Sequence, residues 1–189
     1  MHKPTPDDPT VPSSAPTGAV LAPRAFVNRT GEELRRALRY GRSLSLMLVS
    51  LDQMPQLRAG LGEEAVDGLV DLAARSIKRH MRESDYLGRC EGEAFGVLLP
   101  ETSPTRAATL AERLVAELRA MSDTCAQDVG RLTASVGVSC LNPRLSDPEG
   151  LIQAADIQLC RAQREGGNCI AVEASVKLNP TAANNGRVH

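Results

Sequence analysis

Glu91-Gly92-Glu93 sits between two short apolar runs, Tyr86 to Cys90 and Ala94 to Leu99, each bounded by polar or turn-prone residues. That is how a tight β-hairpin reads, with the three residues at its tip. A glycine there tolerates positive φ and lets a ligand come close to the backbone, with a carboxylate on either side. Many hairpins carry Glu and Gly at their tips with no chemistry, so the triplet alone defines no site. Arg82 and Asp85 stand just upstream, in the order Arg82-Glu83-Ser84-Asp85. Arg-x-x-Asp is common at a charged helix end, and in isolation it is a weak signal. Two further carboxylates, Asp52 and Asp67, follow a strand and flank an apolar helical stripe. A strand-end cap and a solvated surface residue occupy such places equally well.

The elements that must position these groups can be read from periodicity. The run Ala94 to Leu99 is apolar without alternation, which predicts a central strand buried on both faces. Leu44, Leu46 and Leu48 alternate with Ser45, Met47 and Val49, giving a first strand that ends at Ser50-Leu51-Asp52. A helix is expected from about Pro23 to Arg39, with Phe26, Leu34 and Leu38 as its apolar contacts and Pro23 in the first turn. Thr30-x-x-Glu33 leaves open a break near Gly31, with the helix proper starting there. A short helix around Gln53 to Gly60 precedes a longer one, Glu63 to Arg79, whose Val66, Leu69, Val70, Ala73 and Ile77 form a stripe for the sheet. After the hairpin, Ser103-Pro104 opens a helix through Leu118, and a polar loop from Ser122 to Gly130 leads to a strand, Leu132 to Cys140. Asp147-Pro148 caps a helix carrying Leu151, Ile152, Ala155, Leu159 and Ala162, and Asn168 to Val172 is the last strand. Helices and strands in this order give an α/β or α+β sandwich.

Composition narrows the function. A chain of 189 residues suits one domain with a real core and is short for two. Its 22 basic and 23 acidic residues leave no electrostatic footprint for nucleic acid or an anionic membrane. Two Tyr, two Phe and no Trp argue against a base-stacking platform. No apolar run approaches the roughly 20 residues of a membrane span, and Met1-His2-Lys3-Pro4 lacks the apolar core of a signal peptide. Five cysteines without a Cys-x-x-Cys pair fit free thiols in a reducing cytoplasm better than disulfides or zinc. Five prolines among Ser, Thr and Asp mark residues 1–21 as a disordered tail. The folded domain is expected over 22–174, followed by a flexible tail over 175–189.

From about Arg24 to Val172 the chain resembles the GGDEF domains, the diguanylate cyclases. In that family Arg-x-Gly-Gly-Asp/Glu-Glu-Phe is followed by a strand ending Leu-Leu-Pro-x-Thr. Arg89, Gly92, Glu93, Phe95 and Leu98-Leu99-Pro100-Glu101-Thr102 match, while Glu91 replaces the first glycine and Ala94 the catalytic glutamate. Thr133-x-Ser135-x-Gly137-Val138 matches a further family strand. The resemblance implies a nucleotide-cyclase-like fold, a central mixed five-stranded sheet flanked by helices. It also implies a reaction, in which a ribose 3′-hydroxyl of one GTP attacks the α-phosphorus of another, pyrophosphate leaves and cyclic di-GMP forms. Carboxylates hold Mg²⁺ and cations stabilise the phosphates.

On this chain the family's metal ligands fall at Ser50, Glu93 and Ala94, so one carboxylate of three remains. The family's Leu-Tyr-x-Ala-Lys-x-x-Gly-Arg-Asn reads Leu159-Cys160-Arg161-Ala162-Gln163-Arg164-Glu165-Gly166-Gly167-Asn168, with Gln163 for the lysine and Gly167 for the arginine. Arg58 replaces a guanine-reading Asn, and Asp67 is kept. Of a Leu-Thr-Gly-Leu-x-Asn-Arg-Arg-x-Phe motif only Arg24 and Phe26 remain. Single losses of this type cost roughly 10²–10³ in rate. The expectation is therefore a catalytically inactive member, with Glu93 and Asp52 as remnants of the catalytic site. Asp67 and Gly92 are vestiges of nucleotide binding, and no metal or cofactor is expected unless residual cyclase activity brings Mg²⁺.

The resemblance also implies a second site, which binds the product. It is an Arg-x-x-Asp motif five residues before the signature, and here Arg82 and Asp85 precede the five-residue spacer Tyr86 to Cys90. The family adds an arginine from an Ala-Glu-Arg sequence on the following helix, which Ala111-Glu112-Arg113 fits. An exposed Arg–Glu pair on that helix would by itself contribute less than about 1 kcal/mol. The chemistry is coherent: an arginine fork pairs with guanine O6 and N7, a carboxylate accepts from guanine N–H groups, and arginines bridge phosphates. Charges are lost from the catalytic side and kept on the product side. The leading expectation is thus a cyclic di-GMP receptor acting through Arg82, Asp85 and Arg113, with an unidentified effector protein or ligand-induced homodimerisation as output. A weak or partner-completed diguanylate cyclase and a ligand-independent interaction module are the competing readings.

Overall fold

A computed structural model describes residues 20–90, 94–125, 132–142 and 147–173. The hairpin tip Glu91-Gly92-Glu93, most of the expected N-terminal tail, the 126–131 loop and the expected C-terminal tail lie outside them. Ten elements follow in order: α1 (Pro23–Tyr40), β1 (Leu44–Leu51), α2 (Met54–Leu61), α3 (Glu63–His80), β2 (Tyr86–Arg89), β3 (Phe95–Pro100), α4 (Pro104–Cys125), β4 (Ala134–Cys140), α5 (Pro148–Arg164) and β5 (Ile170–Val172). The strands form one mixed sheet of order β2-β3-β1-β4-β5. β1 runs antiparallel to both β3 and β4, β2 is antiparallel to β3, and β5 alone is parallel to its neighbour. This is the five-stranded α/β architecture expected from the sequence.

Two layers of helix explain why the central strands are apolar throughout. Leu44, Leu46, Leu48 and Leu98 face α1 and α5, through Phe26, Leu34, Leu151, Ala155 and Leu159. Met47, Val49, Val97 and Leu99 face α3 and α4, through Val66, Val70, Ala73, Ile77, Leu114 and Leu118. The alternation in β1 is therefore between two buried faces rather than between core and solvent. Phe26 is the largest anchor on the α1 side. Its ring lies over Gly88 and Gly96, paired across β2 and β3, where a Cβ on either glycine would come within 2.7 Å of the ring.

Four expectations need correction. Leu21, assigned to the tail, is buried and bridges the free edge of β2: its N–H donates to Leu87 O and its carbonyl accepts from Arg89 N, both at 2.8 Å. α1 runs unbroken through Gly31, because Thr30 Oγ1 bonds back to the Phe26 carbonyl at 2.9 Å instead of capping a new helix. Leu38 is 52% exposed and makes no core contact, since the buried stripe of α1 ends at Ala37. α4 continues to Cys125 through the segment read as the start of a polar loop.

Candidate functional site

The short loop after α3 carries the first two predicted site residues. Arg82 N–H donates to Asp85 Oδ2 at 2.7 Å, and Asp85 N–H donates back to Arg82 O at 3.1 Å. This reciprocal turn fixes Asp85 at the entrance to β2 with only 8% of its surface exposed. Opposite the loop, α4 presents Thr105, Arg106, Thr109 and Arg113 along one side. Together they enclose a cleft of about 500 Å³, floored by Leu99 and Thr102. Arg82, Asp85 and Arg113, separated by up to 31 positions in the chain, thus line one cavity.

The electrostatics of this cleft favour an anion with hydrogen-bond donors of its own. Burial pushes the Asp85 carboxyl above its ordinary range, opposed by the Arg82 N–H bond and the Arg82 guanidinium. Asp85 Oδ1 is buried and has no hydrogen-bond partner among the described residues. An acceptor so placed is costly in the free protein. Arg82, Arg106 and Arg113 are exposed along the rim, so cations outnumber carboxylates there. Behind Arg113, Glu117 accepts from Ser76 Oγ at 2.6 Å, from Arg79 Nη2 at 2.7 Å and from His80 Nε2. The Ser76 and His80 bonds hold the Glu117 carboxyl down at about 2. His80 Nδ1 in turn faces Arg113 Nη2 at 3.4 Å.

At the opposite end of the sheet, where β1 ends, a second cleft of about 560 Å³ collects the predicted catalytic remnants. Ser50, Asp52, Arg58, Gln163 and Gly167 line it. Asp52 is fully engaged within the fold: Oδ1 accepts from Ser135 Oγ at 2.7 Å, and Oδ2 from Thr133 Oγ1 at 2.7 Å and Asn168 N at 2.9 Å. It ties β1 to β4 and to the turn before β5, which is the strand-end role rather than a ligand role. Ser50 Oγ makes only a 3.4 Å contact with the neighbouring Leu51 carbonyl. Ala94 is buried and contributes a methyl group. Asp67 is exposed on α3 and lines neither cleft, and Glu93 and Gly92 lie outside the described residues. Among the described residues no three His, Cys, Asp or Glu side chains converge. Of the three positions the resemblance assigns to Mg²⁺ ligands, Ser50 and Ala94 offer no carboxylate, and Glu93 lies outside the described residues.

Sequence reasoning missed His80, Arg106 and the Thr105–Thr109 pair. Arg106 had a usable signal, because it precedes Arg113 by two helical turns and so shares its face. His80 had none, since only the packing of α3 on α4 brings it to Arg113.

The geometry now has relatives to set beside it. The family described as diguanylate cyclase, GGDEF domain matches residues 19–169. The chain belongs to the GGDEF domain family. It is 29% identical over 148 residues to the diguanylate cyclase DgcP of Pseudomonas aeruginosa, covering 78% of this chain and 22% of that protein. The chain therefore spans about a fifth of that relative's length. Two solved structures share the fold at 20% identity. The active GGEEF domain of a diguanylate cyclase from Vibrio cholerae superposes with a TM-score of 0.77 over 82% of this chain and 99% of that one. The coiled coil and GGDEF domain of DgcB from Caulobacter crescentus, in complex with c-di-GMP, does so at 0.75 over 82% of both.

Proposed function

We propose that this diguanylate cyclase-like domain is catalytically inactive and serves as a receptor for cyclic di-GMP in the Arg82–Asp85–Arg113 cleft. The observation that carries this reading is the buried, unpartnered Asp85 Oδ1 beside Arg82 and opposite Arg113. The carboxylate accepts from a guanine N–H, while the arginine forks take guanine O6 and N7 or the phosphates. The ligand bound in the DgcB structure has this chemistry. At the other cleft two of the three metal positions are Ser50 and Ala94, the two cation positions are Gln163 and Gly167, and Asp52 is tied into the fold. Output then passes through ligand-driven self-association or an effector protein. A thermal melt tests the reading: cyclic di-GMP at about 100 times its Kd stabilises the domain by about 2.7 kcal/mol. The midpoint should rise by several degrees, whereas GTP with Mg²⁺ should leave it in place. Equal shifts with both nucleotides would contradict the assignment.

A further inference from the structure

α4 meets the cleft with two arginines that the domain's own carboxylates do not neutralise. On other helices Arg29, Arg36 and Arg161 each pair with a glutamate three or four positions away. Arg106 has no carboxylate at those spacings on either side, and Glu101, the nearest to it in the chain, pairs with Arg42. Glu117 stands four positions after Arg113, but Ser76, Arg79 and His80 take its oxygens from the side of α3. Arg106 also lies in the first turn of α4, where the positive end of the helix dipole opposes a cation. It is exposed, so neither packing nor the helix accounts for a positive charge at this point.

Cyclic di-GMP carries two guanines and two phosphodiesters. Asp85, with its unpartnered oxygen and the Arg82 guanidinium beside it, complements one guanine edge. Two arginines of the cleft then remain, two helical turns or about 10.5 Å apart along α4. Between them Thr109 Oγ1 donates to the Thr105 carbonyl at 3.1 Å, so its hydroxyl has no proton left for an anion. We propose that Arg113 and Arg106 each hold one phosphodiester, and that Arg106, through the second, makes the cleft select a ligand with two anionic groups. This role of Arg106 rests on the cyclic di-GMP reading of the cleft.

Calorimetric titration of the full chain with cyclic di-GMP and with the linear dinucleotide GpG tests this, because GpG has both guanines and a single phosphodiester. Wild type should prefer the cyclic ligand. Part of that preference belongs to the rigid ring, so the readout is its change in the variants. Arg106→Gln should bind cyclic di-GMP about tenfold more weakly and GpG within about twofold of wild type. Arg106→Lys keeps the charge and should restore most of the loss. Without ligand, Arg106→Gln should melt no lower than wild type, since it removes a cation from the unfavourable end of a helix. Unchanged affinity for cyclic di-GMP, an equal loss for both ligands, Arg106→Lys as weak as Arg106→Gln, or a lower melting midpoint would each overturn the role of Arg106. The receptor reading survives all four while Arg82→Ala still abolishes binding. Binding that Arg82→Ala leaves unchanged, or no binding by wild type, would remove both.

Discussion

Asp52 and Asp85 stand at opposite ends of the sheet, and their surroundings are opposites too. Asp52, where β1 ends, has three donors and is part of the framework. Asp85, where β2 begins, is more buried, holds one backbone N–H and leaves an oxygen without a partner. One has been absorbed into the fold, and the other is kept at a cost to it. The proposed receptor function rests on Asp85, a buried acceptor beside a rim of arginines, and the proposed inactivity on the Ser50, Ala94, Gln163 and Gly167 that stand around Asp52 or at the family's catalytic positions.

The largest effect that would break this comparison is turnover. Incubation of the purified protein with radiolabelled GTP and Mg²⁺ should give no cyclic di-GMP above a blank. Ala94→Glu alone should not rescue synthesis, because each missing charged group costs roughly 10²–10³ in rate and position 50 stays a serine. Product that disappears on Glu93→Ala would contradict the inactive assignment.

Substituting each aspartate by asparagine sharpens the contrast, since the two variants should move in opposite directions. Asp85→Asn should weaken cyclic di-GMP binding by about tenfold or more, because the amide oxygen stays with the Arg82 N–H and an NH2 donor then takes the place of the free oxygen facing the guanine N–H. It should also leave the thermal midpoint at neutral pH unchanged or higher. Burial raises the Asp85 carboxyl, so its ionised form costs stability above that raised value, and the cost is relieved as pH falls through it. Any gain in the variant should therefore vanish at acid pH. Asp52→Asn should leave ligand affinity alone and lower stability by about 1–3 kcal/mol, through three weakened bonds. Calorimetry and thermal melts on both variants read the two effects separately.

A smaller effect concerns whether the lost cation can simply be restored. Gly167 has φ of 72°, and a Cβ there would lie 3.1–3.3 Å from the Asp52 carboxylate. Gly167→Arg should therefore cost about 1–2 kcal/mol. A midpoint equal to wild type would show that the backbone still accepts the family's arginine. An effect of similar size is expected at the N-terminus, and it turns on two residues. A chain starting at Val20 should melt with the full protein, whereas one starting at Ala22 loses a buried leucine and two edge hydrogen bonds. It should be less stable by about 1–3 kcal/mol.

Much of this was legible in the chain itself, for reasons that differ by element. Periodicity exposed α3 and α5 because their burial follows the 3.6 repeat, and β1 and β3 were legible as short apolar runs because helices cover both faces of the sheet. The boundaries failed where the deciding contact is distant. Leu21 belongs to the sheet only because β2 has a free edge, and Leu38 is exposed only because the buried face of α1 ends one residue earlier. Arg82, Asp85 and Arg113 could be singled out because a motif fixes their spacing. His80 and Glu117 could not, since their partnership is made by the packing of α3 on α4. The role of Asp52 was open in the sequence and is decided by hydroxyls 81 and 83 positions away.

The most direct test is a calorimetric titration of wild type and Arg82→Ala with cyclic di-GMP and with GTP. Wild type should bind cyclic di-GMP and not GTP. Arg82→Ala should lose about 30-fold or more in affinity, the loss of a desolvated, charge-assisted contact worth roughly 2–5 kcal/mol. Equal binding by the two proteins, or no binding by either at high micromolar ligand, would contradict the receptor assignment and leave an interaction module that uses the fold for its surface alone.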